Sequence, residues 1–140
     1  MTRINVIDPA QLTDQHLMAE YRELPMVMGS LRRTVRSKNG WQLAKVPLQY
    51  TLNKGHVYFF TNKKQFLWNR FNILVEELRY RGYNLNPSNR TIDWSVFDEV
   101  PQIHWEPTPA CIEVNAERIR LRISQKPDWY RWTNRQRVMI

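Results

Sequence analysis

The start of the chain and one acidic residue downstream supply the groups needed for imine chemistry. Met1 is followed by the small residue Thr2, so removal of Met1 would expose the α-amine of Thr2. The carboxylate of Glu23 follows among several arginines. An amine nucleophile, a carboxylate and a basic environment are the parts that imine formation on an abasic sugar in DNA requires.

An α-amine suits this chemistry better than a lysine because more of it is uncharged at neutral pH. The reference pKa of an α-amine is about 7.7–8.0, against about 10.4 for lysine. This gap of about 2.5 units corresponds to roughly 3.4 kcal/mol of deprotonation free energy. Arg3 and Arg22 would favour the neutral amine further, because like charges repel.

The residue pattern places Glu23 near the end of the first of three predicted helices. Thr13 or Asp14 can cap the start of this helix. Pro25 lacks a backbone donor and crowds the carbonyl four residues earlier, which predicts a kink or a break directly after Glu23. Glu20, by contrast, is expected to be a solvated surface group. One helical face carries the apolar residues Leu17, Tyr21, Leu24, Met28, Leu31 and Val35.

Two further apolar patterns predict the other helices. One starts near Lys63 and has Gly82 as its C-terminal cap; its apolar positions are Leu67, Phe71, Leu74, Val75 and Leu78. The last starts near Pro109 and ends before Pro127, with apolar residues at Ile112, Ala116, Ile119 and Ile123. Val57 to Phe60 is predicted as a short strand or a buried loop, and residues 83–108 as ordered irregular structure.

These patterns predict a mainly α fold, in which residues 1–140 form a single compact domain of three helices with long irregular connections. The length of 140 residues is typical of one domain. The net charge of +8 favours a polyanionic partner, with nucleic acid as the first candidate. A basic protein without a specific ligand would have the same composition, so charge alone leaves both readings open.

Composition also bears on compartment and cofactors. The single cysteine, Cys111, cannot form an internal disulfide, which fits a reducing compartment. No apolar run is long enough to span a bilayer, and Arg3 and Asp8 interrupt any signal peptide. We therefore expect an intracellular protein, in a bacterial cytoplasm or another compartment that contains DNA. No metal or other cofactor is expected, because the three histidines lack a ligand spacing: His16, His56 and His104.

Several segments of the chain resemble the pyrimidine dimer DNA glycosylase/AP lyases of the phage endonuclease V family. The resemblance is dense over Thr2-Arg3-Ile4-Asn5 and over the uninterrupted run of residues 14–25. It returns at Gly55-His56-Val57 with Phe59-Phe60, and at residues 127–130. The rest of the middle of the chain has diverged.

The resemblance implies a DNA repair enzyme that excises cis-syn pyrimidine dimers from ultraviolet-damaged duplex DNA. Thr2 and Glu23 are the implied catalytic residues. The amine of Thr2 would attack C1′ of the 5′ sugar of the dimer and form a Schiff base. Glu23 would stabilise the cationic intermediate and assist proton abstraction at C2′, after which β-elimination nicks the strand. No metal takes part in the family's mechanism.

The resemblance and the charge pattern together give a set of predicted DNA-binding residues. Basic side chains four positions apart share a helix face, as Arg118 and Arg122 do. The aromatic and basic tail is typical of stacking on nucleotides, although closure of the chain end over the helices explains Trp129 equally well. The full set is Arg3, Gln15, His16, Arg22, Arg118, Arg122, Trp129 and Tyr130.

The expected partner is double-stranded DNA containing pyrimidine dimers or abasic sites, bound by a monomer and without a membrane. Two alternatives remain. One is a non-enzymatic basic nucleic-acid-binding module on the same scaffold. The other is an AP lyase with altered lesion specificity, because Met26 stands where the family often has an arginine. Loss of that phosphate contact would weaken binding near the lesion or shift substrate choice.

Overall fold

The computed structural model describes residues 3–86 and 92–137. Within these ranges the chain forms five α-helices and no strand, which confirms the mainly α prediction. The helices are α1 (Asp14–Glu23), α2 (Met26–Arg36), α3 (His56–Phe60), α4 (Lys64–Tyr80) and α5 (Pro109–Gln125). None of these helices combines the length and the apolar character that a membrane span requires. The buried apolar side chains form a single cluster.

The first predicted helix is divided into two at Pro25, as its sequence requires. Thr13 caps α1, because its Oγ1 accepts a hydrogen bond from the His16 N–H at 3.0 Å. Pro25 has no N–H to donate to the carbonyl of Tyr21, so α1 stops and α2 begins after it. Glu23 is consequently the last residue of α1, two positions before Pro25.

Helix α4 ends at a glycine cap, as the sequence predicted. Gly82 has a φ of 96°, a left-handed conformation that glycine adopts at little cost. Its N–H donates to the Arg79 carbonyl at 2.9 Å, and the Tyr83 N–H donates to the Leu78 carbonyl at 3.0 Å. These two bonds form a Schellman motif, which confirms Gly82 as the cap.

Helix α5 has the predicted start and length, but its inward face is partly polar. Thr108 caps it by accepting a hydrogen bond from the Cys111 N–H at 3.2 Å. Asn115 is completely buried beside Ala116, whereas Ile112 is 41% exposed. The prediction that Ile112 faces the core is therefore wrong, because the amide of Asn115 takes the inward position on this part of the helix.

The prediction of a strand or loop at Val57 to Phe60 is wrong, because these residues belong to α3. The helix follows Gly55, whose φ is 92° and where a Cβ would come within 2.8 Å of the Pro47 Cγ. A helix of five residues is too short to show a 3.6-residue apolar period, so the pattern could not reveal it. Phe59 and Phe60 anchor it in the core.

The long connection before α5 is ordered but irregular in its described part, as predicted. It contains a short 3-10 helix at Trp94–Glu99, in which Phe97 is fully buried. Trp94 and Trp105 pack against the core cluster. Residues 87–91 of this connection lie outside the described ranges.

Buried ion pairs join α1 to α4. Arg70 Nε lies 2.7 Å from Glu20 Oε2, and both side chains are almost entirely shielded from solvent. Arg81 Nη1 lies 2.9 Å from Asp14 Oδ1, and its Nε lies 2.8 Å from Glu77 Oε2. Guanidinium and carboxylate groups have narrow geometric requirements. These pairs therefore fix the rotation of α1 against α4, and with it the direction in which Glu23 points.

Candidate functional site

A cleft of about 270 Å³ opens between the N-terminal segment (residues 3–7), α1, α5 and the C-terminal tail (residues 126–137). Six predicted site residues line it: Arg3, His16, Glu23, Arg118, Arg122 and Tyr130. Four further residues complete the lining: Asn5, Ala19, Glu20 and Ile119. Folding thus gathers side chains from both ends of the chain into one place. Thr2, the predicted nucleophile, lies outside the described residues.

Glu23 is half-buried in this cleft. Burial raises the pKa of its carboxyl above the ordinary value; the charge of Arg3 opposes this shift and that of Glu20 adds to it. A carboxylate with a raised pKa is a better proton acceptor than an exposed one. Glu23 is therefore suited both to accepting a proton and to stabilising a neighbouring cation.

Three arginines surround the carboxylate. Arg118 and Arg122 lie one turn apart on α5 and both face the cleft, with Arg3 across from them on the N-terminal segment. Burial lowers the pKa of the Arg3 guanidinium, and the nearby charge of Arg118 lowers it further. An arginine nevertheless stays protonated in proteins. The cleft therefore concentrates positive charge around one acid, an arrangement that attracts phosphate groups.

His16 joins the cleft to the tail and is uncharged at neutral pH. Its ring stacks on Tyr130 with the ring centres 4.9 Å apart and the planes 4° from parallel. Burial, followed by the charges of Arg122 and Arg3, lowers the pKa of His16 to about 4. His16 therefore contributes a ring face and hydrogen bonds to the cleft rather than a positive charge.

Hydrogen bonding to Thr13 holds the His16 ring in its orientation. Thr13 Oγ1 accepts a bond from the His16 backbone N–H and lies 2.7 Å from Nδ1. The Thr13 hydroxyl has one proton to donate and two lone pairs, so its contact with Nδ1 is compatible with either neutral tautomer of the ring.

Glu20 was expected on the surface, and this expectation is wrong. Its side chain is 1% exposed and accepts bonds from Arg70 Nε at 2.7 Å and Nη2 at 3.0 Å. It also accepts a bond from Asn5 Nδ2 at 3.0 Å. Arg70 lies fifty positions later, too far along the chain for sequence spacing to reveal the pairing.

The N-terminal segment is held by residues that no sequence pattern connects with it. The Ile4 N–H donates to His56 Nε2 at 2.7 Å, and the Tyr50 hydroxyl donates to the Ile4 carbonyl at 2.9 Å. The Val6 N–H donates to Asn115 Oδ1 at 2.7 Å. All of these partners are buried. Their roles depend on contacts over more than forty positions, and no local pattern signals such contacts.

Gln15 holds the tail in place. Its Nε2 donates to the Trp129 carbonyl at 2.7 Å, and its Oε1 accepts a bond from the Arg131 N–H at 3.1 Å. The Asp14 N–H donates to the Arg131 carbonyl at 2.7 Å. These bonds place Tyr130 against the cleft, while Trp129 points outward and remains 55% exposed.

Three of the predicted DNA-binding residues do not line the cleft: Gln15, Arg22 and Trp129. Arg22 is exposed in the last turn of α1, next to Glu23 in sequence. Met26, in the first turn of α2, is 54% exposed. Contacts of these residues with DNA remain predictions, and they would extend the surface around the cleft rather than its interior.

The described residues contain no group of three or more His, Cys, Asp or Glu side chains placed to hold a metal ion. The two carboxylates of the cleft differ in environment. Glu20 is neutralised by Arg70, whereas Glu23 keeps its half-buried carboxyl among the arginines.

Comparison with protein families gives one match. A family model described as pyrimidine dimer DNA glycosylase matches residues 1–91. The matched range includes the N-terminal segment, α1 with Glu23, and the helices α2 to α4. The arginines of α5 and the aromatic tail lie beyond it.

Proposed function

The chain belongs to the pyrimidine dimer DNA glycosylase family, and on this premise we propose how its cleft performs the reaction. The α-amine of Thr2, exposed by loss of Met1, attacks C1′ of the 5′ sugar of a cis-syn pyrimidine dimer. The bond between C1′ and the base breaks, and the base leaves with the bonding electrons. The amine and C1′ then form a Schiff base after the sugar ring opens.

The observation that carries this proposal is the half-buried carboxyl of Glu23, with its raised pKa, among Arg3, Arg118 and Arg122. A negative charge there stabilises the cationic imine. The same carboxylate accepts the proton from C2′. The electrons of that C–H bond then form a double bond as the bond to the 3′ phosphate breaks. This β-elimination nicks the strand, and water finally hydrolyses the imine to free the amine.

The basic and aromatic walls of the cleft support binding of a distorted duplex. Arg118 and Arg122 present two guanidinium groups on one helix face, where they can neutralise phosphates. Phosphate contacts provide the free energy that bending and nucleotide flipping require. The stacked pair of His16 and Tyr130 offers an aromatic edge beside the cleft. We propose that the protein acts on DNA as a monomer.

Borohydride trapping tests the mechanism directly. Reduction converts an imine into a stable covalent adduct, so incubation with duplex DNA carrying an abasic site or a dimer should yield a protein–DNA species on denaturing gels. The mass of the protein's N-terminal peptide should show Thr2 first and the DNA attached there. A preparation that retains Met1 and still cuts irradiated plasmid at full speed would contradict the assigned nucleophile.

Glu23→Gln tests the carboxylate. We expect this variant to bind damaged duplex as the wild type does but to nick abasic DNA roughly 10²–10⁴-fold more slowly, the range typical of losing a proton acceptor. Glu76→Gln, at an exposed position of α4, is the matched control and should retain full activity. If Glu23→Gln nicks abasic DNA at the wild-type rate, the role assigned to Glu23 is wrong.

A second candidate function is an AP lyase with altered lesion specificity, and the side chain of Met26 favours it. This side chain is exposed three positions after Glu23, where similar proteins often carry a phosphate-binding arginine. Comparing adduct formation on dimer and abasic duplexes separates the two functions, because the altered enzyme would form it only on abasic DNA. A protein that binds both duplexes without forming an adduct would be a binding module.

A further inference from the structure

We propose that His56 and Tyr50 position the nucleophilic amine by clamping the backbone of Ile4 from both sides, an inference that rests on the proposed role of Thr2. His56 Nε2 accepts the Ile4 N–H at 2.7 Å, and the Tyr50 hydroxyl donates to the Ile4 carbonyl at 2.9 Å. We call these two residues the clamp. Neither touches the reacting atoms, so both are positioning residues.

The clamp lies directly behind the wall of the cleft. Ile4 is fully buried in the core, whereas its neighbours Arg3 and Asn5 line the cleft. The two clamp side chains are themselves buried, and their rings meet edge to face with centres 5.5 Å apart. The clamp therefore acts on a residue of this wall that faces inward, and it is shielded from solvent competition.

The tautomer of His56 is determined by a third contact. Nδ1 lies 2.6 Å from the Thr51 carbonyl, which can only accept a hydrogen bond. Nδ1 therefore carries the ring proton, and the lone pair of Nε2 points at the Ile4 N–H. Burial, opposed by the bond to Thr51 and assisted by the charge of Arg3, lowers the pKa of His56 to about 4. The ring thus stays neutral, the form that the clamp needs.

Ile4 is only two positions after Thr2, so fixing its backbone restricts the position of the amine. Consecutive Cα atoms are about 3.8 Å apart, so the Cα atoms of Thr2 and Ile4 are separated by at most about 7.6 Å. With the backbone of Ile4 fixed, only a few dihedral angles remain to set the direction of the amine. Misplacement of a reacting group by about 1 Å can cost roughly 100-fold in rate.

Other contacts hold the N-terminal segment to the fold without the clamp. Asn115 bonds to both Asn5 and Val6, at 2.9 and 2.7 Å. Arg70 Nη1 donates to the Ile7 carbonyl at 2.7 Å. Because these anchors lie on the C-terminal side of Ile4, loss of the clamp should free the chain start without detaching the segment. A positioning role therefore explains the clamp better than attachment alone.

The test compares imine formation with DNA binding in Tyr50→Phe, His56→Leu and His56→Gln. The rate of borohydride-trapped adduct on saturating abasic duplex measures chemistry, and the Kd for a duplex with a tetrahydrofuran abasic analogue measures binding. We expect Tyr50→Phe and His56→Leu to form adduct about 10–100-fold more slowly, with Kd changed less than about 3-fold. His56→Gln supplies an acceptor again and should recover most of the rate.

Two control variants lie away from the cleft. His104→Leu removes an exposed histidine beside Glu106, and Tyr80→Phe removes an exposed hydroxyl on α4. Both should behave as the wild type. Circular dichroism verifies folding of each variant, and Tyr50→Phe decides the question should His56→Leu fail to fold. Faster hydrogen exchange of the Ile4 amide in the clamp variants supplies a readout independent of catalysis.

The outcomes separate the clamp from the proposed function. Wild-type adduct rates in Tyr50→Phe and in folded His56→Leu would overturn the clamp while leaving the Schiff base intact. An equal loss of binding and of adduct formation would also overturn it, because it would show general disruption of the site. Absence of any adduct with the wild type would refute the proposed function, whatever the exchange of the Ile4 amide shows.

Discussion

The acidic residues of helix α1 lie in two regions. In one region their charges are balanced by arginines, and in the other positive charge is in excess. At its contact with α4, Asp14 and Glu20 pair with Arg81 and Arg70, and almost no side-chain surface of the four groups reaches solvent. At the cleft between α1 and α5, the carboxyl of Glu23 faces several arginines. Among the described residues, neither Arg118 nor Arg122 forms an ion pair.

The difference places the unbalanced positive charge at the cleft, where we propose that DNA binds. Charges at the α1–α4 contact are balanced and contribute geometry, because a buried pair gains little net free energy over apolar packing. Charges in the cleft are in excess and partly or fully exposed, so they retain the capacity to neutralise phosphates. Substitutions in the two regions should therefore affect different properties of the protein.

Arg70→Met should have the largest effect, and that effect should be on stability. Among the described residues, it leaves the buried carboxylate of Glu20 with Asn5 as its one hydrogen-bond partner. Removing one member of a buried ion pair typically lowers the free energy of unfolding by about 3–5 kcal/mol. Urea denaturation measures this change. Arg118→Met is the matched control, expected to stay within about 0.5 kcal/mol of the wild type. An equal loss of unfolding free energy in the two variants would show that the α1–α4 contact and the cleft do not differ in their contribution to stability.

Acidification should destabilise the protein through its buried histidines. The pKa values of His16 and His56 are lowered to about 4, so the unfolded chain takes up their protons first as the pH falls below about 6.5. Their stabilisation is therefore complete above about pH 6.5 and is lost progressively towards pH 4. Between pH 7 and pH 5 we expect a loss of roughly 2 kcal/mol per histidine. Urea denaturation across this range measures it.

A histidine substitution provides the control for this pH dependence. His56→Gln should flatten the dependence by the contribution of one histidine, whereas His104→Gln, at an exposed position, should leave it unchanged. An identical pH dependence in the wild type and in His56→Gln would show that His56 titrates normally in the folded protein.

Replacing both cleft arginines of α5 should weaken DNA binding without unfolding the protein. If the wild type neutralises about five phosphates, log K should fall against log salt with a slope near −4.5. Arg118→Gln with Arg122→Gln should reduce the magnitude of this slope by about 1.8. The paired variant Arg32→Gln with Arg36→Gln, on α2, is the control. An unchanged slope in the α5 variant would show that neither arginine neutralises a DNA phosphate.

Gln15→Ala should have the smallest effect, because it removes two hydrogen bonds to the tail while Asp14 still holds it. A loss of about 1 kcal/mol in binding to dimer-containing duplex is expected, with imine formation on saturating abasic DNA unchanged. Gln65→Ala, on the exposed side of α4, is the control. A large fall in the imine rate would place Gln15 at the reacting sugar instead of at the tail.

Features that depend on neighbouring residues were predictable from sequence. The Thr13 cap, the break at Pro25 and the Schellman motif at Gly82 each involve groups within five positions. Helix α3 was missed although it is local, because a single turn carries no apolar period and Gly55 reads equally well as a loop residue. Helices and their ends are therefore predictable where backbone chemistry acts over a few residues and the helix is long enough to show an apolar repeat.

The sequence by itself determined which side chains are available, among them the carboxyl of Glu23 and the arginines on one face of α5. Only the tertiary structure decided that Glu20 pairs with Arg70, that His56 holds Ile4, and that Gln15 holds the tail. These pairs are separated by 50, 52 and 114 positions. Contacts at such separations form only when packed helices bring two segments together, so no spacing rule along the chain specifies them.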